Sequence, residues 1–248
     1  MPEVLRVEGV SVRYGDVPAL RDVDLVAAPG TSTAVIGPNG SGKSTLLRAI
    51  AGIAKPSTGR IERPGDAPPA LVLQSTDVDR SLPISVRETV ATARYATLGL
   101  FRPFRAGDRQ AVERAIERMD LTHLRQRQLH ELSGGQRQRV LVAQGLAQDS
   151  PILLLDEPVT GLDVVSRQLI LDAVDEERAR GRIVLMTTHS LDEARRCDQV
   201  LLLDGAAVAC GSPDEVLQEG PLRVAFGGRF ILVGEGLLLD DPHHDHAH

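Results

Sequence analysis

Tryptophan is absent from the 248-residue sequence, and the aromatic residues are two tyrosines and four phenylalanines. Proteins that grip single-stranded nucleic acid depend on stacking rings, and nucleic-acid binders generally carry a basic balance. Here 34 acidic side chains outnumber 28 basic ones, for a net charge of −6, so no nucleic-acid partner is expected. Cys197 and Cys210, the only cysteines, are too few for a disulfide scaffold. They read as unpaired small hydrophobes in a reducing compartment, and their separation lacks zinc-ligand spacing. Long apolar runs are missing as well. Runs such as Ile152-Leu153-Leu154-Leu155 are far too short to span a bilayer. The opening Met1-Pro2-Glu3-Val4 has no basic segment followed by an apolar one, so no secretory signal is expected. Lysine is confined to Lys43 and Lys55 in an arginine-rich chain, which makes each lysine worth a reason. What remains, 42% hydrophobic and 25% charged residues, is the composition of an ordinary globular protein with a substantial core.

The alternation in Val4-Leu5-Arg6-Val7-Glu8 and Val10-Ser11-Val12-Arg13-Tyr14 predicts antiparallel strand with one wet face, and Leu20 to Val26 reads alike. The pattern then changes. Thr33 to Ile36, Ala70 to Leu73, Ile152 to Leu155 and Ile183 to Met186 are short continuous apolar runs. These suit parallel strands buried on both faces. Between them lie helical stripes: Asp108 to Met119, with Asp108 as the expected N-cap, then Gln136 to Ala147 and Val165 to Arg178. Leu201 to Leu203, Asp204-Gly205 and Ala206 to Val208 predict a hairpin. Ser85 to about Leu132 is helical and arginine-rich and interrupts the strand–helix alternation, as an inserted subdomain would.

Gly37-Pro38-Asn39-Gly40-Ser41-Gly42-Lys43-Ser44-Thr45 follows one apolar run and precedes a helical pattern. That is the setting of a phosphate-binding loop. Its glycines let successive N–H groups point at phosphate oxygens, and the following helix adds partial positive charge. Lys43 is placed to reach the β/γ-phosphates, and the Ser44 hydroxyl to ligate Mg²⁺. A phosphate-bound metal also needs a carboxylate. Asp156 and Glu157 end the buried run at Leu155, where charge costs least. Asp156 suits Mg²⁺, directly or through water, and Glu157 suits a general base on the attacking water; an ordinary helix-capping pair is the other reading. Gln74 and His189 also follow apolar runs. Ligands bind at the carboxyl ends of parallel strands, so Gly37, Gln74, Asp156 and His189 are expected to share a rim. Leu132-Ser133-Gly134-Gly135-Gln136 is either a second anion site at a helix start or a plain helix start capped by Ser133.

Taken in order, the phosphate loop, Gln74, the LSGGQ string at Leu132 to Gln136, the ILLLDEP string at Ile152 to Pro158, Thr160-Gly161-Leu162-Asp163 and His189 resemble the ATP-binding subunit of an ABC transporter. The resemblance covers about Val4 to Leu217. It implies an α/β P-loop fold of ABC type: a mixed or parallel core sheet flanked by helices, an N-terminal antiparallel β-subdomain, and a helical insert at about 85–135. The cassette would occupy 1–220, with an extension at 221–239 and a tail at 240–248. It further implies that two copies of the chain sandwich two ATP molecules and drive separate multi-span permease subunits served by a solute-binding protein, at the cytoplasmic face of the cell membrane. Ser133, Gly135 and Gln136 would then reach the γ-phosphate held by the other copy, and Asp163 would communicate across that interface. His189 would bridge the γ-phosphate and the water near Glu157. Gln74 would ligate Mg²⁺ and report occupancy, and Tyr14 would stack on adenine.

The stretch from Val78 to Pro103 is similar to the corresponding segment of zinc/manganese-type importers, with Ser81-Leu82 where those often have an aromatic pair and Ala93 where they have glycine. Four of the seven histidines, His243, His244, His246 and His248, crowd the last six residues among Asp240, Asp241 and Asp245. That density suits Zn²⁺, and some zinc-importer ATPase subunits resemble it; a solvated acidic tail or an added tag is the other reading. The expected activity is Mg²⁺-dependent ATP hydrolysis coupled to import of a divalent metal ion. The alternatives are another cargo, such as an amino acid, haem or a drug, or a non-transport ABC ATPase.

Overall fold

The computed structural model describes residues 3–73, 83–98, 103–227, 230–233 and 236–239. The alternating N-terminal segments form an antiparallel sheet. β1 (Leu5–Tyr14) lies between β2 (Val17–Ala27) and β4 (Thr58–Glu62). Leu5 and Val7 face inward, and so do Val10 and Val12. A strict period of two cannot place all four on one face. The register shift between Val7 and Val10 supplies the extra residue, as a β-bulge does.

The continuous apolar runs become the centre of a six-stranded sheet. Its order is β5 (Ala70–Val72), β6 (Ile152–Leu155), β7 (Ile183–Thr187), β3 (Ser32–Ile36), β8 (Gln199–Leu203) and β9 (Ala207–Gly211). All neighbours are parallel except β8 and β9, which pair antiparallel across the expected Asp204-Gly205 turn. Residue parity sorts each run into two cores. Val35, Leu154, Leu185 and Leu201 pack with α1 (Lys43–Ile50) against the antiparallel sheet. Ala34, Ile36, Leu153, Leu155, Val184, Met186 and Leu202 face the other way. There they meet helices that include α4 (Gly134–Gln148) and α5 (Val164–Ala179). Burial on both faces is why these runs do not alternate.

α2 (Val86–Leu98) and α3 (Ala106–Arg118) pack with α4 through Val90, Val112, Ile116, Val140 and Ala143. Asp108 is not the N-cap of α3. Arg105 holds that position with extended backbone, and Asp108 sits three residues on. Its carboxylate accepts the Arg105 N–H at 2.9 Å and a guanidinium hydrogen bond from Arg94 at 2.8 Å. The sequence signal misleads because an acidic residue serves the first turn from inside the helix as well as from the cap. The short α6 (Leu191–Arg195) lies between β7 and β8, and after β9 come α7 (Pro213–Val216), α8 (Glu219–Phe226) and a hairpin of β10 (Phe230–Val233) with β11 (Gly236–Leu239). Leu222 and Ala225 anchor α8 in the core. No helix among the described residues is long and apolar enough to cross a membrane.

Candidate active site

Gly37 to Gly42 connects the end of β3 to α1. Gly42 is the N-cap of α1 with φ +98°, and a Cβ there would lie 2.4 Å from Leu20 Cδ2 and 2.6 Å from the Ala19 carbonyl oxygen. A Cβ on Gly37 would lie 2.1 Å from the Leu203 carbonyl oxygen. The loop therefore runs pressed against β2 and the end of β8, and only glycine fits at either position. Gly42→Ala is expected to destabilise the fold by about 2–4 kcal/mol, because steric overlap adds to a strained φ. Denaturant unfolding checks this, and a loss below about 0.5 kcal/mol would mean that the loop is free to move away.

Within that cradle Lys43 is buried, and its ammonium donates to the Gly37 carbonyl at 2.8 Å and the Pro38 carbonyl at 3.0 Å. The Ser41 N–H also donates to the Pro38 carbonyl, at 3.2 Å. The Ser41 hydroxyl is buried without a hydrogen-bond partner, a costly state that a ligand oxygen would relieve. Asn39 and Gly40 lie exposed at the loop's crest, and Thr45 is half-buried in the first turn of α1.

Ser44 carries the loop to the second element of the site. Its hydroxyl donates to Asp156 Oδ1 at 3.0 Å. Asp156, just past β6, is buried. Thr187, at the end of neighbouring β7, donates to the same oxygen at 2.8 Å and accepts the Glu157 N–H at 2.7 Å. Glu157 has φ +48°, the left-handed region that a non-glycine residue rarely occupies. Its Oε1 lies 2.5 Å from His189 Nε2. The His189 hydrogen bond holds the Glu157 carboxyl below its ordinary value, outweighing burial, with further help from the charges of His189 and Lys43 and the Thr160 hydroxyl. The turn bearing His189 is itself tied down: the Thr188 hydroxyl donates to Glu193 Oε2 at 2.5 Å, and Glu193 pairs with Arg167 of α5 at 3.0 Å.

Lys43, Ser44, Asp156, Glu157 and His189 are thus brought together along the carboxyl ends of β3, β6 and β7. The donor set fits a magnesium-bound triphosphate: a lysine and a phosphate-loop backbone for the anion, a hydroxyl and a carboxylate for a hard cation. Gln74 lies outside the described residues. Tyr14 stands half-exposed at the end of β1. The remaining expected residues form a second cluster at the starts of α4 and α5. Ser133 caps α4: its hydroxyl accepts the Gln136 N–H at 3.2 Å, and Gln136 Oε1 accepts the Ser133 N–H at 3.0 Å. Asp163 caps α5, accepting the Ser166 N–H at 2.9 Å. A Cβ on Gly135 would lie 2.9 Å from Asp163 Oδ2, so the two helix starts touch.

Sequence reasoning missed Thr187 and Thr188. Their signal was available, since two hydroxyls end an otherwise apolar run at the rim where Asp156 and His189 also lie. Burial pushes the Cys197 thiol up to about 11 and also raises that of Cys210, which disfavours the reactive thiolate at both. No group of three or more histidine, cysteine or acidic side chains among the described residues is placed to hold a metal ion. His243, His244, His246 and His248 lie outside the described residues.

A glycine-bounded phosphate loop opening a helix, on a mixed sheet joined to an antiparallel one, defines a P-loop ATPase of the ATP-binding cassette type. The ABC transporter family model matches residues 20–160, and the chain belongs to that family. It is 38% identical to the manganese transport system ATP-binding protein MntA of Synechocystis over 90% of each chain. It is 40% identical to the zinc import ATP-binding protein ZnuC of Paracoccus denitrificans over 98% of this chain and 91% of that one. Among solved structures, the ADP conformation of an ATP-binding cassette of an ABC transporter superposes with a TM-score of 0.75 at 26% identity, covering 92% of this chain and all of that one. A dimeric bacterial ABC transporter cassette superposes with a TM-score of 0.73 at 25% identity, covering 84% and 98%.

Proposed function

We propose that this ABC ATPase energises import of a divalent metal ion, zinc or manganese, through separate multi-span permease subunits at the cytoplasmic face of the cell membrane. The observation that carries the ATPase half of this reading is the joined set Lys43, Ser44, Asp156, Glu157 and His189 on one sheet rim. The metal half is supported by relatives named for manganese transport and zinc import at 38% and 40% identity over nearly their whole length.

In this reading the loop N–H groups and Lys43 hold the β- and γ-phosphates, and Tyr14 stacks on the adenine. Ser44, Asp156 and Gln74 would hold Mg²⁺, which would supply charge neutralisation on the phosphate oxygens. Water attacks the γ-phosphorus and gives its proton to the Glu157 carboxylate, while the bond to the β-phosphate oxygen breaks and ADP leaves. His189 orients Glu157 and the γ-phosphate. Ser133, Gly135 and Gln136 of a second copy close over the same γ-phosphate, and Asp163, which already touches Gly135, carries the state of one site to the other. A solute-binding protein delivers the ion to the permease, and the histidine-rich tail takes up Zn²⁺ on the near side of the membrane.

The test is uptake by proteoliposomes holding this chain together with a multi-span permease that co-purifies with it. The expected result is ATP-dependent accumulation of Zn²⁺ or Mn²⁺, with hydrolysis stimulated by the metal-loaded binding protein. Accumulation of an amino acid or haem instead, with no response to either metal, would overturn the cargo and leave the ATPase in place.

A further inference from the structure

We propose that Thr187 is a positioning residue for hydrolysis, its single hydroxyl setting the geometry of both rim carboxylates; this rests on the roles given above to Asp156 and Glu157. Ile183, Val184, Leu185 and Met186 fill β7 with apolar side chains, and Thr187 follows them with no exposed surface. A hydroxyl in so dry a place needs partners. β6 and β7 pair in parallel with Leu155 opposite Met186, so the next step along each strand sets Asp156 and Thr187 side by side. The Glu157 N–H donates to Thr187 Oγ at 2.7 Å. An N–H can only donate, so the one proton of that hydroxyl is committed to Asp156 Oδ1, at 2.8 Å.

Two consequences follow for the site. Asp156 Oδ1 receives Thr187 from one side and Ser44 from the other at 3.0 Å, which fixes the carboxylate between the sheet and the phosphate loop. Glu157, meanwhile, holds a left-handed φ of +48° that is unfavourable for a residue with a Cβ. The bond to Thr187 secures that turn, and the turn sends the Glu157 side chain to His189. A valine at 187 keeps the shape and removes both hydrogen bonds. It leaves the Glu157 N–H without its acceptor and lets its carboxylate drift from the position needed to take a proton.

The experiment compares the full chain with Thr187→Val and Thr187→Ser in steady-state ATP hydrolysis as functions of ATP and Mg²⁺, with nucleotide affinity measured separately. Thr187→Val is expected to lower kcat about tenfold and to raise the Mg²⁺ concentration for half-maximal rate severalfold, with ATP affinity within about twofold of wild type. Thr187→Ser, which keeps the hydroxyl, should recover kcat to within about twofold. A merely structural threonine would instead lower the unfolding midpoint and leave kcat per folded molecule and the Mg²⁺ requirement unchanged; that result, or a serine variant as slow as valine, overturns the proposal. Should the valine variant not fold, Thr187→Cys, with its weak donor and acceptor, carries the same comparison. Glu157→Gln is run alongside. Wild-type turnover in that variant would sink the underlying assignment of the base, whereas an inactive Glu157→Gln beside a fully active Thr187→Val would sink only the role of Thr187.

Discussion

Glu157→Gln is expected to bind ATP as the wild type does and to hydrolyse it ~10²–10⁴-fold more slowly, the range that general-base catalysis supplies. Glutamine matches glutamate in size, so the packing of the left-handed turn and the Glu157 N–H bond to Thr187 survive. What is lost is an oxygen able to accept the proton of the attacking water. The ionisation state supports this assignment. The His189 hydrogen bond depresses the carboxyl below its usual 4.5, so the base form is fully present at neutral pH. A depressed acid contributes stability above its unfolded value, and the contribution is lost as pH falls through the lower folded value. The acid limb of kcat/KM that belongs to this group is expected below the ordinary glutamate range. Single-turnover hydrolysis with a separate nucleotide-binding measurement checks the prediction, and turnover within about threefold of wild type would remove Glu157 from the role of base.

Lys43→Ala is expected to weaken ATP binding by about 10- to 100-fold, since a hydrogen bond to a charged group contributes roughly 1.5–3 kcal/mol. The side chain already lies along the loop, with its charge on the Gly37 and Pro38 carbonyls, so a phosphate entering the loop meets it with little rearrangement. The loop keeps its shape without Lys43, because the Ser41 N–H bond to Pro38 and the close approach at Gly42 remain. Lys43→Arg should not restore affinity. The position is buried, and a planar guanidinium is larger and aims its donors differently from a compact ammonium. Titration calorimetry with the magnesium-free nucleotide isolates this contribution, and unchanged affinity in the alanine variant would count against the loop as the phosphate site.

Much of the fold could be read directly from residue order. The four apolar runs and the Asp204-Gly205 turn announced β3, β5, β6, β7 and the β8–β9 hairpin, because each depends on a local property: burial on both faces, or a turn residue at a fixed position. Asp108 was misplaced as a cap because an acidic residue is equally at home three positions into a helix. The β1 bulge was invisible because the break between Val7 and Val10 makes sense only opposite β2. For Ser133, two readings stood open in the sequence. In the structure the hydroxyl caps α4 within its own chain, and the geometry adds that α4 and α5 begin against one another at Gly135 and Asp163.

The chain's order of residues was enough to determine a phosphate loop between a strand and a helix, carboxylates at the end of another strand, and an ATP-binding cassette as the architecture. The first two are statements about neighbours in sequence, encoded by short-range chemistry, whereas the cassette architecture followed from the resemblance carried by the motifs in their order. Only the tertiary structure decided that Thr187 holds Asp156 and Glu157 at once, that Ser44 meets Asp156, and that His189 meets Glu157. The partners in each pair sit on or just beyond different elements, α1, β6 and β7, so the packing of those elements, not spacing along the chain, sets which side chains share a hydrogen bond.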